Sequence, residues 1–198
     1  MTILRPGLTL YFIRHGETDW NREARYQGQR DIPMNDTGRA QARRNGRTLS
    51  TLSNKIQNAD FVSSPLSRAV ETMQIVRDEL GFERDAFRRD PRLRELHYGH
   101  WEGLLASGLA HIDPEGLRQK SLDPFGWRPN GGESYRDLQD RVTDWLVTLD
   151  RDTVAVSHGG VSRVARAAVL GIAPGDVPFL AVPQDQIMLL SNDRLSWV

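Results

Sequence analysis

The chain has 198 residues, 38% apolar and 26% charged, and its 26 basic side chains balance its 26 acidic ones. This composition indicates one globular domain and argues against a disordered chain. A net charge of zero argues against a generic nucleic-acid or membrane-surface binder, because both need surplus positive charge. The chain has no cysteine, which excludes disulfides and thiolate chemistry. It shows no signal-peptide core and no long apolar run, so we expect a cytoplasmic protein without a membrane partner.

Short apolar runs rich in strand formers alternate with apolar residues at helical spacing. This alternation predicts an α/β fold, a three-layer sandwich in which helices flank a mostly parallel central sheet. No repeat or linker interrupts the pattern, so residues 1–198 are predicted to form a single domain. The predicted elements, in chain order, are strand 8–13, helix 35–53, strand 59–63, helix 65–80, strand 87–93, helix 134–149, strand 153–156, helix 161–170, and strands 186–191 and 195–198.

Local signals predict where the helices begin and end. The triplet at 35–37, Asn-Asp-Thr, offers a cap for the first helix. Ser64 is predicted to cap the second, with Pro65 in its first position. Gly171 is expected to close the helix 161–170.

Between residues 103 and 132 the apolar residues have no regular spacing, and glycine and proline recur. We expect an irregular excursion with short helical pieces here. Long irregular segments inside compact domains are usually functional. We therefore predict that residues 103–132 form the rim of a pocket.

Two histidines occupy corresponding places in the predicted sheet. His15 follows the strand 8–13 and His158 follows the strand 153–156, and each is followed by glycine. Ligands of open α/β sheets bind beyond the carboxyl ends of the strands. Both histidines should therefore point into one crevice, where glycine lets the backbone approach a ligand closely.

Charged residues at the same edge indicate the ligand. Arg14 precedes His15, and Arg68 lies in the first turn of a helix that follows another strand. A helix start offers free N–H groups and positive potential to an anion. These groups predict a pocket for a dianion such as phosphate, with Glu95 at a further predicted strand end as the candidate acid.

At these residues the sequence resembles the histidine phosphatase superfamily, in its phosphoglycerate-mutase-like branch. The signature Arg-His-Gly stands at residues 14–16 and is followed by Glu-Thr-Asp-Trp-Asn at 17–21. The resemblance runs from about residue 8 to residue 171 with every block in order. The later blocks are Arg25-Tyr26-Gln27-Gly28, Asp31-Ile32-Pro33, Ser63-Ser64-Pro65-Leu66-Ser67-Arg68-Ala69, Leu93-Arg94-Glu95, Trp101-Glu102-Gly103, Gly131-Gly132-Glu133-Ser134 and Ser157-His158-Gly159-Gly160.

The resemblance implies a phosphoglycerate-mutase-like fold and a metal-independent mechanism without a cofactor. His15 would be the nucleophile and would become a phosphohistidine. Arg14, Arg68 and His158 would hold the phosphoryl oxygens, with His158 cationic in the bound state. Glu95 would protonate the leaving oxygen and then activate water. Further contacts to the phosphate or substrate are expected from Gly16, Asn21, Gln27, Gly28 and Gly159.

Three functions remain open on the sequence. We favour a phosphatase acting on a small phosphorylated metabolite, because the excursion is short and contains only the basic side chains His111, Arg118, Lys120 and Arg128. A mutase would need a binding site for a second anionic group of its substrate and would have to exclude water. A phospho-ligand sensor on the same fold would be expected to lack the nucleophile or the acid. The oligomeric state, monomer or homodimer, stays open.

Other polar residues carry weaker signals. His97 and His100 lack the strand-end context, so we expect them to lie outside the pocket. Glu133 either closes the pocket or belongs to the cap of the next helix, and we favour the cap. Glu17, beside the predicted nucleophile, is the second candidate for the acid.

Overall fold

The computed structural model describes residues 3–52, 54–192 and 194–198. In this part of the chain the strands are β1 Leu10–Arg14, β2 Asp60–Ser63, β3 Arg88–Arg89, β4 Thr153–Ser157, β5 Ile187–Ser191 and β6 Arg194–Trp197. They form one six-stranded sheet in the order β3-β2-β4-β1-β5-β6. The four strands β1 to β4 run parallel, and β5 and β6 add an antiparallel edge. The predicted mostly parallel sheet is confirmed.

The helices of the described residues cover both faces of this sheet. They are α1 Asp19–Arg22, α2 Asp36–Leu52, α3 Ser67–Glu79, α4 Leu109–Ile112, α5 Pro114–Leu122, α6 Tyr135–Leu146 and α7 Gly159–Leu170. Short 3₁₀ turns lie at Asn54–Asn58, Pro91–Leu93, Gly99–Trp101, Ala106–Gly108 and Pro174–Phe179. Ser53, the predicted last residue of the first helix, lies outside the described residues.

Alternation along β1 explains the three layers. Successive side chains of a strand point to opposite faces, and β1 is apolar on both. Leu10 and Phe12 join a core with residues of α6 and α7. Tyr11 and Ile13 join a second core with residues of α2 and α3. A strand buried on both faces is typical of the centre of a helix-covered parallel sheet.

The start of α3 corrects the sequence prediction. The helix begins at Ser67 rather than at Pro65, and its N-cap is Leu66, which makes no side-chain cap bond. The carboxylate of Asp31 accepts from the Ser67 N–H at 2.8 Å and takes the capping role from a distant loop. Ser64, the predicted cap, places its hydroxyl 2.8 Å from the ring of His158. Ser64 therefore contacts the strand-end histidine instead of capping α3.

The other observed helix and strand boundaries differ less from the predicted ones. The segment 87–93, expected to hold a short strand, contains β3, and the strand stops there because Pro91 lacks an N–H for the ladder and starts a 3₁₀ turn. Helix α7 begins at Gly159 and ends, as predicted, at Gly171, which has a φ of 68°. The cap of α6 is Ser134, whose hydroxyl accepts from the N–H of Asp137.

The excursion 103–132 contains short helices, as predicted, with α5 the longest. Helix α4 and the 3₁₀ turn Ala106–Gly108 precede α5. Among the described helices, none combines the length and apolar character that crossing a membrane requires.

Candidate active site

His15 lies directly after β1 and is 3% exposed. Its Nδ1 is 2.8 Å from the carbonyl oxygen of Gly16, and its Nε2 accepts from Nε of Arg68 at 3.3 Å. A carbonyl can only accept, so Nδ1 carries the proton and Nε2 holds the free lone pair. Burial, followed by the charges of Arg68 and Arg14, lowers the pKa of His15 well below its usual value. The ring is therefore a neutral imidazole with Nε2 as its nucleophilic atom.

His158 lies beside His15, at the end of the neighbouring strand β4. The two ring centroids are 5.0 Å apart with an interplanar angle of 59°. Burial, then Arg68 and His15, lower the pKa of His158 well below its usual value. Its Nε2 meets the Ser64 hydroxyl, and its buried Nδ1 has no hydrogen-bond partner among the described residues. The two strand-end histidines predicted to share one crevice thus lie side by side, but only His15 borders the central cavity, and His158 is completely buried.

Arg68 is fully buried, and backbone carbonyls hold it. Its two terminal nitrogens donate to the carbonyl oxygens of Arg30 at 2.7 Å and of Gly28 at 2.8 Å. Burial lowers the pKa of Arg68 to about 10, although Glu95 and Asp31 oppose the shift. The guanidinium stays charged at neutral pH, and no described carboxylate lies within ion-pair distance of it.

Arg14 has a similar environment. Its Nη1 donates to the carbonyl oxygen of Val182 at 2.9 Å. Its Nε is buried without a hydrogen-bond partner in the described part of the chain. Burial lowers the pKa of Arg14. A buried donor without a partner is costly, so this atom is available to a polar ligand.

Gly28 places the carbonyl that holds Arg68. The residue has a φ of 54°, which favours glycine. A Cβ built here would lie 1.9 Å from Oε1 of Glu102. Next to it, Gln27 is 7% exposed, and its Oε1 has no partner among the described residues. The Arg-Tyr-Gln-Gly block thus positions the guanidinium of Arg68 and presents the Gln27 amide oxygen, which has no hydrogen-bond partner among the described residues.

Glu95 meets the start of α7. Its Oε1 accepts from the N–H of Leu96 at 2.9 Å and from that of Gly160 at 3.0 Å. A Cβ on Gly160 would lie 2.5 Å from Oε1, so this approach requires glycine. The carboxyl group is therefore fixed beside the first turn of α7, where it borders the cavity described below.

A second charged residue supports the backbone around Glu95. Arg141 donates to the carbonyl oxygens of Arg92, Arg94 and Glu95 at 2.6 to 3.0 Å. Glu133 pairs with Arg141 at 2.9 Å. The expectation that Glu133 belongs to the cap of the next helix is therefore wrong, because its carboxylate orients Arg141 instead.

Three predicted contact residues differ in what they can offer. The N–H of Gly16 already donates to Thr72 at 3.1 Å, and a Cβ there would lie 2.2 Å from the Gly38 carbonyl. Gly16 therefore serves close packing, and its donor is engaged. Asn21 directs Oδ1 toward the amide of Gln184 at 3.2 Å, which leaves its NH₂ group for a ligand. Gly159, the first residue of α7, borders the cavity.

These groups enclose a central cavity of about 150 Å³. Its walls are Arg14, His15, Asn21, Arg25, Tyr26, Gln27, Gly28, Arg68, Glu95, Tyr98, Gly159 and Arg163. The volume suits a phosphoryl group rather than a whole metabolite, since small-molecule sites usually exceed about 300 Å³. His15, Arg14, Arg68 and Glu95 are brought together as predicted.

Sequence reasoning missed part of the wall. Arg163 follows Gly159 by four residues on α7, so the two share one helix face. The four-residue spacing from Gly159 could have identified Arg163 as a cavity residue from the sequence. Tyr26 could have been found through the Arg25-Tyr26-Gln27-Gly28 block, next to the predicted contacts Gln27 and Gly28. Tyr98 carried no comparable signal, because the loop that brings its ring to the cavity has no regular period.

The remaining polar candidates lie elsewhere. His100, in the 3₁₀ turn before the excursion, lies 2.9 Å from the carboxylate of Asp113. His97 accepts from the N–H of Gly99 at 3.0 Å. Both are outside the cavity wall, as expected. Glu17 accepts from the side chain of Asn35 at 3.0 Å, so the second candidate acid faces the start of α2.

Comparison with known proteins agrees with this site. Residues 10–198 match the histidine phosphatase superfamily, branch 1. A glucosyl-3-phosphoglycerate phosphatase from Mycolicibacterium vanbaalenii is 36% identical over 86% of this chain and 78% of its own. A probable phosphoglycerate mutase, GpmB, from Serratia proteamaculans is 34% identical over 83% of this chain and 76% of its own.

A solved structure shows the same fold. The α-ribazole phosphatase from Shigella flexneri superposes with a TM-score of 0.80 and 25% identity, over 93% of this chain and 90% of that one. The chain belongs to the histidine phosphatase superfamily, branch 1. The predicted enzyme class, a phosphoric monoester hydrolase, agrees with the phosphatases among these relatives.

Proposed function

We propose that the protein is a phosphatase that hydrolyses small phosphorylated metabolites through a phosphohistidine on Nε2 of His15. The observation that carries this proposal is the tautomer of His15. Its Nδ1–H is engaged by the Gly16 carbonyl, and its Nε2 lone pair faces the cavity cation Arg68. Relatives named as phosphatases of glucosyl-3-phosphoglycerate and α-ribazole support the substrate class.

The first half-reaction transfers the phosphoryl group to His15. Nε2 attacks phosphorus, the bond from phosphorus to the alcohol oxygen breaks, and Glu95 donates a proton to that oxygen. Arg14 and Arg68 balance the charge of the phosphoryl oxygens throughout. The dianion would also raise the proton affinity of His158, whose Nδ1 is unpartnered among the described residues.

The second half-reaction reverses the proton flow. Glu95 takes a proton from water, the water oxygen attacks phosphorus, and the bond to Nε2 breaks. His15 returns to its neutral form, and inorganic phosphate leaves. Every charge in this scheme is balanced by side chains of the cavity. We therefore expect turnover to persist when divalent metals are chelated with EDTA.

The mutase alternative is favoured by the relative named GpmB. Among the basic residues of the excursion, however, Arg118 pairs with Glu115 and Arg128 with Asp137. Both are therefore engaged away from the substrate, which leaves Lys120 as the one lysine or arginine of the described excursion that borders a cavity. A single additional cation is compatible with either activity, so the products must distinguish them. A sensor is less well supported, because the nucleophile and the carboxyl group both border the cavity. Assaying 3-phosphoglycerate for released phosphate and for the 2-phospho isomer separates hydrolysis from mutase transfer.

Substitution of the nucleophile tests the proposal. His15→Ala should lower kcat by about four powers of ten, as expected when a covalent catalyst is lost. Brief mixing with a ³²P-labelled ester should leave acid-labile, base-stable label on the wild type and none on His15→Ala. His100→Ala is the matched control, since His100 is exposed and binds Asp113. Label on folded His15→Ala protein would refute the assignment.

A further inference from the structure

A second cavity of about 370 Å³ adjoins the central one. The two share Tyr26, Tyr98 and Arg163 as wall residues. On its outer side this side cavity is bounded by α5 of the excursion, through Leu117 and Lys120. Its size falls within the range of small-molecule sites. A phosphate ester with its phosphoryl group in the central cavity can thus extend its alcohol part into the side cavity.

The walls of the side cavity suit a small organic skeleton. Tyr26, Tyr98 and Tyr135 present aromatic rings, and Leu117 and Phe179 add apolar surface. Phe179 is 75% exposed, so it stands at the mouth. An apolar lining with few polar groups is the usual composition of a small-molecule site.

Lys120 is the unusual residue in this cavity. Only two of the chain's 26 basic residues are lysines, and this one is half-buried. Its ammonium lies 3.3 Å from the Tyr26 hydroxyl and 5.3 Å from the ring centroids of both Tyr26 and Trp101. No carboxylate of the described residues lies within 4.0 Å of it, whereas Arg118 on the same helix pairs with Glu115.

The charges of the two cavities leave Lys120 without a balancing anion. The wall of the central cavity holds Arg14, Arg68 and Arg163, and also Arg25, which pairs with Glu23. A phosphate dianion in this cavity is held by these arginines. The ammonium of Lys120, partly removed from water, borders only the side cavity, so a phosphate in the central cavity does not neutralise it. A second negative charge on the substrate would complete the balance.

We propose that the side cavity binds the alcohol part of the substrate and that Lys120 binds a second anionic group on it. The favoured substrates are then phosphate monoesters of small alcohols that carry a further negative charge, either a carboxylate or a second phosphate. This inference rests on the proposed phosphatase function. Arg163, at the junction of the cavities, is anchored by Leu180 and Tyr135 and faces both anions.

Phosphate esters of equal shape but different charge test whether the second negative charge of the substrate matters. The probes are 4-carboxyphenyl phosphate and its neutral analogue 4-carbamoylphenyl phosphate, with hydroquinone bisphosphate to distinguish a phosphate from a carboxylate. The wild type should prefer the anionic esters in kcat/KM by about tenfold, the size expected of one charged contact. Lys120→Met should reduce this ratio to below about threefold, mainly through KM, and Lys120→Arg should restore it.

The matched control is Arg118→Met, which removes an exposed positive charge two residues away on α5 and should keep the wild-type ratio. Equal kcat/KM for the charged and neutral esters in the wild type would overturn the inference while leaving the phosphatase proposal intact. A preference that survives Lys120→Met would also overturn it. Failure to hydrolyse all three esters would refute both proposals.

Discussion

The charged residues of the cavity and those of the surface between α2 and α3 are held in opposite ways. On the surface, Arg39 pairs with Glu71 at 2.7 Å, and Arg47 pairs with Glu79 at 2.9 Å. In the cavity, Arg68 donates to backbone carbonyls and to a neutral histidine. Carbonyls satisfy the donors of a guanidinium without cancelling its charge. The cavity cations therefore remain available to an anion, whereas the surface cations are already neutralised.

The pKa shifts follow the same division. Hydrogen bonds to Glu71 and Glu79 raise the pKa of Arg39 and Arg47. Burial lowers the pKa of Arg14 and Arg68. A buried charge without a counter-charge costs stability. That cost is offset only when an anion binds, so the cavity is preorganised for its ligand.

The largest effect should come from removing a cavity cation. Arg68→Ala should lower kcat/KM for 4-nitrophenyl phosphate by at least about a hundredfold, or about 3 kcal/mol, because a charged contact to the transferred group is lost. Arg47→Ala, which removes a surface cation, should stay within about threefold. Steady-state kinetics on both variants measures the difference. Similar losses in the two would show that this division of the arginines has no functional meaning.

Removing the cavity acid should have a smaller effect that depends on the leaving group. Alkyl phosphates need protonation as the ester bond breaks, whereas a nitrophenolate leaves unaided. Glu95→Gln should therefore reduce kcat/KM for glycerol 3-phosphate about thirtyfold more than for 4-nitrophenyl phosphate, within the usual range for a general acid. The basic limb of the pH–rate profile should also flatten.

The matched change on the surface is Glu71→Gln, which removes the partner of Arg39. It should leave the ratio of the two substrates unchanged. If Glu95→Gln lowers both substrates equally and keeps the wild-type pH profile, Glu95 only shapes the cavity, and the proton comes from another group.

The smallest effect concerns the pH dependence of stability. His15 and His158 have folded-state pKa values well below the usual value. Below about pH 6.5 the unfolded chain thus binds more protons than the folded one, and stability is lost as the pH falls. Each histidine should lower the free energy of unfolding by roughly 1 kcal/mol between pH 7.5 and 5.5.

Urea unfolding at these two pH values measures this loss. His158→Gln should reduce it by roughly 1 kcal/mol, because one buried histidine no longer titrates. His100→Gln, at an exposed position of the 3₁₀ turn Gly99–Trp101, should not reduce it in this way. A pH dependence unchanged by His158→Gln would mean that His158 takes up protons equally in the folded and the unfolded chain.

The sequence alone determined the strand ends, and through them the main reacting groups. Arg14 and His15 follow one apolar run and His158 another, and the carboxyl ends of parallel strands meet at one edge. The composition of each run was sufficient here, because a short run that is apolar on both faces is typical of a strand inside a helix-covered sheet. The end of α7 at Gly171 was an equally local signal.

The tertiary structure decided what holds these groups. Asp31 caps α3 from a distant loop, and the carbonyl of Gly28 fixes Arg68. Glu95 is placed by an N–H of α7, far away in sequence. Lys120 reaches the cavity only because α5 packs over Tyr26. Such contacts depend on the direction of carbonyls and on the path of irregular loops, for which a sequence has no period, so only the folded chain reveals them.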